Sequence, residues 1–138
     1  MKIIKFTTKH SSTELSDIFN KLNPIEAEYI KNLYNKFDYF EFNDDNDNVC
    51  MFASIHTNYI SDLLESYVKT SLNFKYEDIT KDVLYSKLDV KIFESDDLTK
   101  MIDSFIKENL DVDTVLDKIN EFGRDSLVEI DMLVLTSF

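Results

Sequence analysis

The sequence predicts an α+β fold: a sheet of four strands, with a fifth as an open alternative, helices between the strands, and further helices after them. Three observations carry this expectation. Four short stretches before residue 78 are aromatic and β-branched, or alternate apolar with polar residues, as strands do. Between them run stretches with apolar residues at i, i+3, i+4 and i+7, the spacing of a helix with one buried face. From residue 79 onward helical spacing dominates.

In chain order, KIIKF (2–6) reads as a strand. SSTELSDIFNKL follows, with Ser11 and Glu14 at capping-box spacing and Leu15, Ile18, Phe19 and Leu22 at helical period. Asn23 and Pro24 then restart the chain as N-cap and first helical residue, before a stripe of Ile25, Tyr29, Ile30, Leu33, Tyr34 and Phe37. DYFEF (38–42) and NVCMFASI (48–55) form a hairpin across the polar loop NDDNDN. A helix begun by Thr57 or Asn58 carries Ile60, Leu63, Leu64, Tyr67 and Val68, and LNFKY (72–76) alternates as a strand with one wet face.

This order, strand, helix, strand, strand, helix, strand, is the split βαβ arrangement of ferredoxin-like domains. It demands that strands one and three be central. NVCMFASI agrees, being apolar on both faces. The expected organisation is therefore one domain, 1–138, with a ferredoxin-like βαββαβ core (1–78) and a helical extension (79–138) covering the second sheet face. Within the extension a short helix is capped by Thr80, and VKIF (90–93) is the candidate fifth strand. Two helices follow, with stripes Leu98, Met101, Ile102, Phe105, Ile106 and Val112, Val115, Leu116, Ile119, Phe122. The only glycine, Gly123, is placed in the left-handed position after the second of these, and Ser126 with Glu129 in a capping box for a last helix. That helix presents Leu127, Ile130, Leu133, Val134 and Phe138 to Val115, Leu116 and Ile119; MLVLTSF as an edge strand is the alternative.

TVLDKINEFGRDSL resembles a helical hairpin tail found at the C-termini of many otherwise unrelated proteins of Bacteroidota, with an LDKI…G.DSL pattern. The match covers roughly residues 113–130 and departs after Ser126, where IDMLVL is apolar instead of rich in Glu and Lys. The resemblance implies a bacterial or phage origin and no catalytic chemistry.

The 15 basic and 27 acidic residues give a net charge of -12, and residues 71–138 hold 8 basic against 16 acidic. Phosphate backbones bind through Lys and Arg that displace counterions, so direct nucleic-acid binding is not expected. With 43% apolar residues the chain can bury a core. One cysteine and two histidines are too few for a Cys/His zinc site or an internal disulfide. No apolar run is long enough for a membrane span, and the start has too short an apolar stretch for a signal peptide, so a cytoplasmic location is expected, in the host cytosol if phage-encoded.

No catalytic constellation is visible. Cys50 lies among apolar strand neighbours, and His56 stands roughly 20 Å along the same strand, so the two form no dyad. His10 is read as a loop residue. Asp44, Asp45 and Asp47 could ligate calcium, but the loop lacks the glycine and trailing glutamate of an EF-hand, and a solvated turn is the preferred reading. One glycine cannot build a phosphate loop. No cofactor or metal is expected. The reading that remains is a small acidic, non-enzymatic protein–protein interaction module, contacting its partner through Tyr39, Tyr76 and Tyr85 or through its acidic helices. The alternative is an inhibitor or nucleic-acid mimic that acts on a basic nucleic-acid-binding protein. In it Asp96, Asp97, Asp103, Asp111, Asp113, Asp117 and Glu121 imitate phosphates.

Overall fold

The structure is a computed structural model and describes residues 1–137. Among the described residues the chain is α+β, with one four-stranded antiparallel sheet and seven α-helices. It forms two compact units, Met1–Ile79 and the chain from Thr80 onward. Among the described residues no helix is long and apolar enough to cross a membrane.

The first unit runs β1 (Lys2–Thr8), α1 (Ser12–Asn20), α2 (Pro24–Tyr34), β2 (Asp38–Asn43), β3 (Val49–Ile55), α3 (Thr57–Lys69) and β4 (Phe74–Asp78). The sheet order is β2-β3-β1-β4, so β1 and β3 are central and β2 and β4 are edges. β3 is buried at all seven positions, which is why it has no polar alternation. Phe6 pairs across the sheet with Met51 on one side and Tyr76 on the other. On that face Ile4, Phe6, Met51, Ala53 and Ile55 pack against Leu33, Phe37, Leu63, Tyr67 and Leu72.

The predicted caps form as local hydrogen bonds. Ser11 accepts the Glu14 N–H at 3.3 Å, and Asn23 accepts the Glu26 N–H at 2.8 Å with Pro24 in the first turn. The α2 stripe is narrower than its spacing suggested: Ile30, Leu33 and Phe37 are buried while Ile25 and Tyr29 are exposed. α3 is capped by neither Thr57 nor Asn58 but by His56, whose Nδ1 accepts the Asn58 N–H at 3.2 Å. A neutral imidazole nitrogen does the work of the usual hydroxyl or carboxylate.

β4 begins two residues later than LNFKY implied. Leu72 belongs instead to the close of α3, where Ser71 adopts φ 59° and the Leu72 N–H reaches the Tyr67 carbonyl at 3.1 Å. This six-to-one closure buries its apolar residue like a strand position, so periodicity alone could not separate the two. Ser86 (φ 59°) repeats it after α4 (Thr80–Leu84), with the Lys87 N–H on the Asp82 carbonyl at 2.8 Å. Thr80 is the first helical residue of α4, not the residue before it.

In the second unit VKIF is no strand. The Asp89 side chain accepts the Lys91 N–H at 3.1 Å, Val90–Phe93 coil into a single 3-10 turn, and Glu94 (φ 49°) ends it. α5 (Asp96–Asn109) and α6 (Val112–Phe122) follow as their stripes predicted, and Leu98, Ile102, Phe105 and Val115 are buried. Gly123 has φ 82° and ψ 170°, outside the left-handed helical region but in one that side chains avoid. A Cβ built there would meet nothing within 4 Å, so the demand for glycine comes from the backbone alone. Gly123→Ala is expected to cost about 1–3 kcal/mol, whereas D-alanine at the same position, introduced by chemical synthesis, should cost little. Urea denaturation of both proteins checks this; equal losses would mean that the space around residue 123 matters instead.

The Ser126–Glu129 capping box does not form. Arg124–Ser126 make a 3-10 turn in which the Ser126 hydroxyl donates to the Gly123 carbonyl at 2.6 Å, and the helix begins only at Glu129, beyond its reach as a cap. α7 (Glu129–Thr136) follows Val128 as its N-cap residue, whose N–H donates to Asp131 Oδ2 at 3.0 Å. The edge-strand alternative for MLVLTSF therefore falls, since residues 132–136 are helical; Phe138 lies outside the described residues. α7 packs on α6 with Asp131 fully buried; of the expected apolar face Leu127, Ile130 and Val134 are half-buried, and Leu133 is exposed.

Candidate functional site

All seven carboxylates singled out from the sequence are exposed on the second unit. They are not equivalent. Asp96 and Asp97 occupy the first turn of α5 and Asp113 that of α6, where the helix dipole favours negative charge. Asp111 is the N-cap of α6 and accepts both the Thr114 hydroxyl at 2.7 Å and the Thr114 N–H at 2.8 Å. Those two bonds hold its carboxyl below the usual range. Glu121 pairs with Lys81 at 2.8 Å, and its carboxylate raises the Lys81 ammonium pKa. Asp113, Asp117 and Glu121 stand at i, i+4 and i+8, one stripe along α6.

Asp111 thus serves its own helix. Asp111→Ala is expected to destabilise the second unit by about 0.5–2 kcal/mol. A carboxyl whose folded pKa is depressed contributes stability above its unfolded pKa and loses it as pH falls through the folded value. The difference between wild type and variant should therefore shrink in acid, as denaturation at neutral and acidic pH would show; a gap independent of pH would refute the cap assignment.

The three tyrosines offered as contacts divide. Tyr39 on β2 and Tyr76 on β4 are exposed at the two sheet edges. Tyr85 is buried, its ring edge-on to Phe122 at 5.9 Å, so it cannot be a contact. Helical and loop residues around it, not a free edge, set its place.

The first unit also holds a cavity of about 50 Å3 between the sheet and its helices, lined by Phe6, Leu15, Phe19, Tyr34, Glu41 and Tyr67 among others. Space of that size suits a water or two and no organic substrate. The Tyr34 and Tyr67 hydroxyls hydrogen-bond to each other across it. Burial pushes Tyr34 up to about 12 and Tyr67 well above the ordinary phenol value. Glu41 is raised by partial burial. Residues 34 and 67 lie on different helices, and nothing in either helix marks them as partners.

These raised phenols set an alkaline limit. The unfolded chain releases both protons near pH 10 while the folded chain holds them, so stability is complete below pH 10 and falls as pH rises toward about 12. Absorbance at 295 nm should show Tyr34 and Tyr67 ionising last of the seven tyrosines, together with unfolding. Titration of all seven as one ordinary class would contradict the buried pair.

The remaining candidates have structural partners. The Cys50 thiol is buried, and burial followed by the Asp44 charge pushes its pKa up, away from a thiolate nucleophile. His10 Nε2 accepts the Asn73 N–H at 2.9 Å, which leaves Nδ1–H to face Glu14 at 3.3 Å. It ties the end of β1 to the approach of β4, a contact between residues 63 apart in sequence. Asp44 Oδ1 accepts the Asn46 and Asn48 N–H groups, each at 2.9 Å, so that oxygen is used within the turn. The same bonds hold its carboxyl below the ordinary range.

Two features had no signal in sequence. A groove of about 430 Å3 lies between α2 and α3, lined by Leu22, Glu26, Tyr29, Ile30, Ser66 and Lys69. In the second unit Lys118 Nζ donates to Asp131 Oδ2 at 2.7 Å with both side chains out of water, and Asp131 Oδ1 is buried with no hydrogen-bond partner among the described residues. No protein-family model, curated protein or solved structure matches the chain.

Proposed function

We propose that this chain is a small acidic, non-enzymatic interaction module that binds another protein. The observation that carries this reading is the kind of surface it presents. The second unit presents exposed carboxylates at Asp96, Asp97, Asp103, Asp113 and Asp117, and the first unit presents exposed apolar side chains, among them Tyr39, Tyr76 and Ile25. Glu41, a carboxyl that partial burial displaces upward, lines a cavity too small for a substrate. The first unit is proposed to be ferredoxin-like. Central β1 and β3 support that assignment, and the second helix between β1 and β2 departs from it. A bacterial or phage origin belongs to the same proposal, on the strength of the hairpin resemblance, and so does a cytoplasmic setting, on the strength of the lone cysteine.

Mimicry of nucleic acid toward a basic protein is the second reading, favoured by the α6 stripe of Asp113, Asp117 and Glu121. Asp111 and Glu121, being engaged within the unit, contribute less to it than their charge suggests. Affinity capture from a bacterial lysate, washed across a salt series, tests both. A partner retained at high salt supports an apolar interface, and one released steeply supports mimicry. Capture of nothing at low salt would overturn the module reading.

A further inference from the structure

β4 is an edge of the sheet with one neighbour, β1. The bonds at its two ends, Lys9 N–H to the Asn73 carbonyl and Ile79 N–H to the Ile3 carbonyl, each 3.0 Å, fix the ladder: Lys75 and Glu77 exchange main-chain bonds with Thr7 and Lys5. The alternate residues, Phe74 and Tyr76, therefore turn their N–H and carbonyl groups away from β1, toward the open side of the sheet. Such an edge is a template for another strand unless something blunts it, and charged side chains are a usual means. β4 carries Lys75 and Glu77 on the face opposite Phe74 and Tyr76, both exposed and neither in an ion pair among the described residues. They share one surface: with Lys5, Thr7 and Tyr76 they line a depression of about 390 Å3. Lys5 stands directly across from Glu77, and Thr7 from Lys75.

We propose that β4 pairs antiparallel with β4 of a second copy about a two-fold axis through Tyr76, joining two four-stranded sheets into one. The charge pattern selects both the occupant and the register. Outward main-chain groups must meet outward groups, so the two-fold registers that overlap more than one residue of the strand are centred on Lys75, Tyr76 or Glu77. Centring on Lys75 or Glu77 sets that residue against its own copy, like charges directly opposite. Centring on Tyr76 sets each Lys75 against the second copy's Glu77. The charges that blunt this edge toward other strands thus complement each other across the axis. Glu77 then lies between Lys5 of its own sheet and Lys75 of the second copy. Tyr76 exchanges two main-chain bonds with its counterpart, and its ring, 55% exposed in the single chain, meets the other ring. The opposite edge offers no such match: β2 carries Asp38 and Glu41 and no basic residue, so no register there brings opposite charges together. The inference goes beyond the module reading and does not depend on it.

Sedimentation equilibrium of the full chain over roughly 10 μM to 1 mM, where so small an interface dissociates, is expected to show monomer and dimer in equilibrium. Lys75→Glu alone, or Glu77→Lys alone, puts like charges opposite each other at two places in the dimer and should weaken it about tenfold or more. Lys75→Glu with Glu77→Lys exchanges the two charges and should restore most of the wild-type affinity. All these side chains are exposed, so thermal midpoints of dilute samples should stay near the wild-type value, and recovery in the double variant separates pairing from any effect on folding. Amide hydrogen exchange gives a second reading. The Tyr76 N–H should be protected at the concentrated end of the range and open at the dilute end, while the Lys75 N–H, bonded to Thr7, is protected at both. A monomer across the whole range overturns the proposal. So does a dimer that the single exchanges leave intact, or one that the double exchange fails to restore.

Discussion

Lys118→Met is expected to destabilise the second unit by about 3–5 kcal/mol, a large share of the stability of a domain this size. The loss is not that of a bond alone. The substitution leaves Asp131, with no exposure to water, holding a charge that among the described residues only the Val128 N–H still contacts. Asp131→Asn should cost a similar amount by the opposite route: its carbonyl can still accept from Val128, but the Lys118 ammonium is left uncompensated at 2% exposure. Replacing both, as Lys118→Met with Asp131→Leu, should recover most of the loss, because hydrocarbon fills the same space without desolvated charge. Urea unfolding of the three variants, followed by far-UV circular dichroism, measures the cycle. A double variant as unstable as either single one would show that the helix cap at Val128, and not charge burial, holds α7. Raising the salt concentration should leave the Lys118–Asp131 contribution in place while weakening the exposed Lys81–Glu121 pair.

Phe6→Ala is expected to cost about 3–5 kcal/mol in the first unit. Phe6 is 2% exposed at the middle of a central strand, with the Tyr67 ring edge-on at 5.5 Å and Met51 across the strand pair. Its removal enlarges the small cavity it already lines, and the rigid sheet cannot collapse to fill the space. Phe6→Leu keeps most of that volume and should lose on the order of 1 kcal/mol. The ratio between the two, read from denaturation midpoints at constant m-value, is the check. Near-equal losses would mean that the ring contact with Tyr67, and not volume, governs the site. The Tyr34–Tyr67 hydroxyl contact should loosen in the alanine variant, so tyrosine ionisation should begin at lower pH.

Much of this fold can be read from short windows because the interactions that set it are local. Ser11 with Glu14, Asn23 with Glu26 and Asp111 with Thr114 lie within one turn of each other, and each cap side chain meets the backbone N–H three residues on whenever the helix forms. The apolar stripes of α5 and α6 follow from the same periodicity. The errors have local causes too. Leu72 closing α3, Asp89 capping a 3-10 turn and Ser126 bonding to Gly123 each satisfy the pattern of another element, and only the competing backbone bond decides between them. Two serines at positive φ, Ser71 and Ser86, take the turn position usually given to glycine, which hid two helix ends from a composition-based reading.

The candidate surfaces were less legible. That the C-terminal half would be acidic is a matter of counting, and the seven chosen carboxylates do lie exposed. Sequence alone cannot tell Asp113, free on its helix face, from Asp131, enclosed with Lys118 thirteen residues away. Both read as outward charges, because burial is a property of what packs around a side chain. Sequence by itself determined most of the element types, the central place of β3 and the acidic character of the second unit, all set by side-chain chemistry and spacing within a few residues. Only the tertiary structure decided which tyrosines face water and which carboxylate turns inward. Those choices rest on contacts between residues far apart in the chain, and no local window contains both partners.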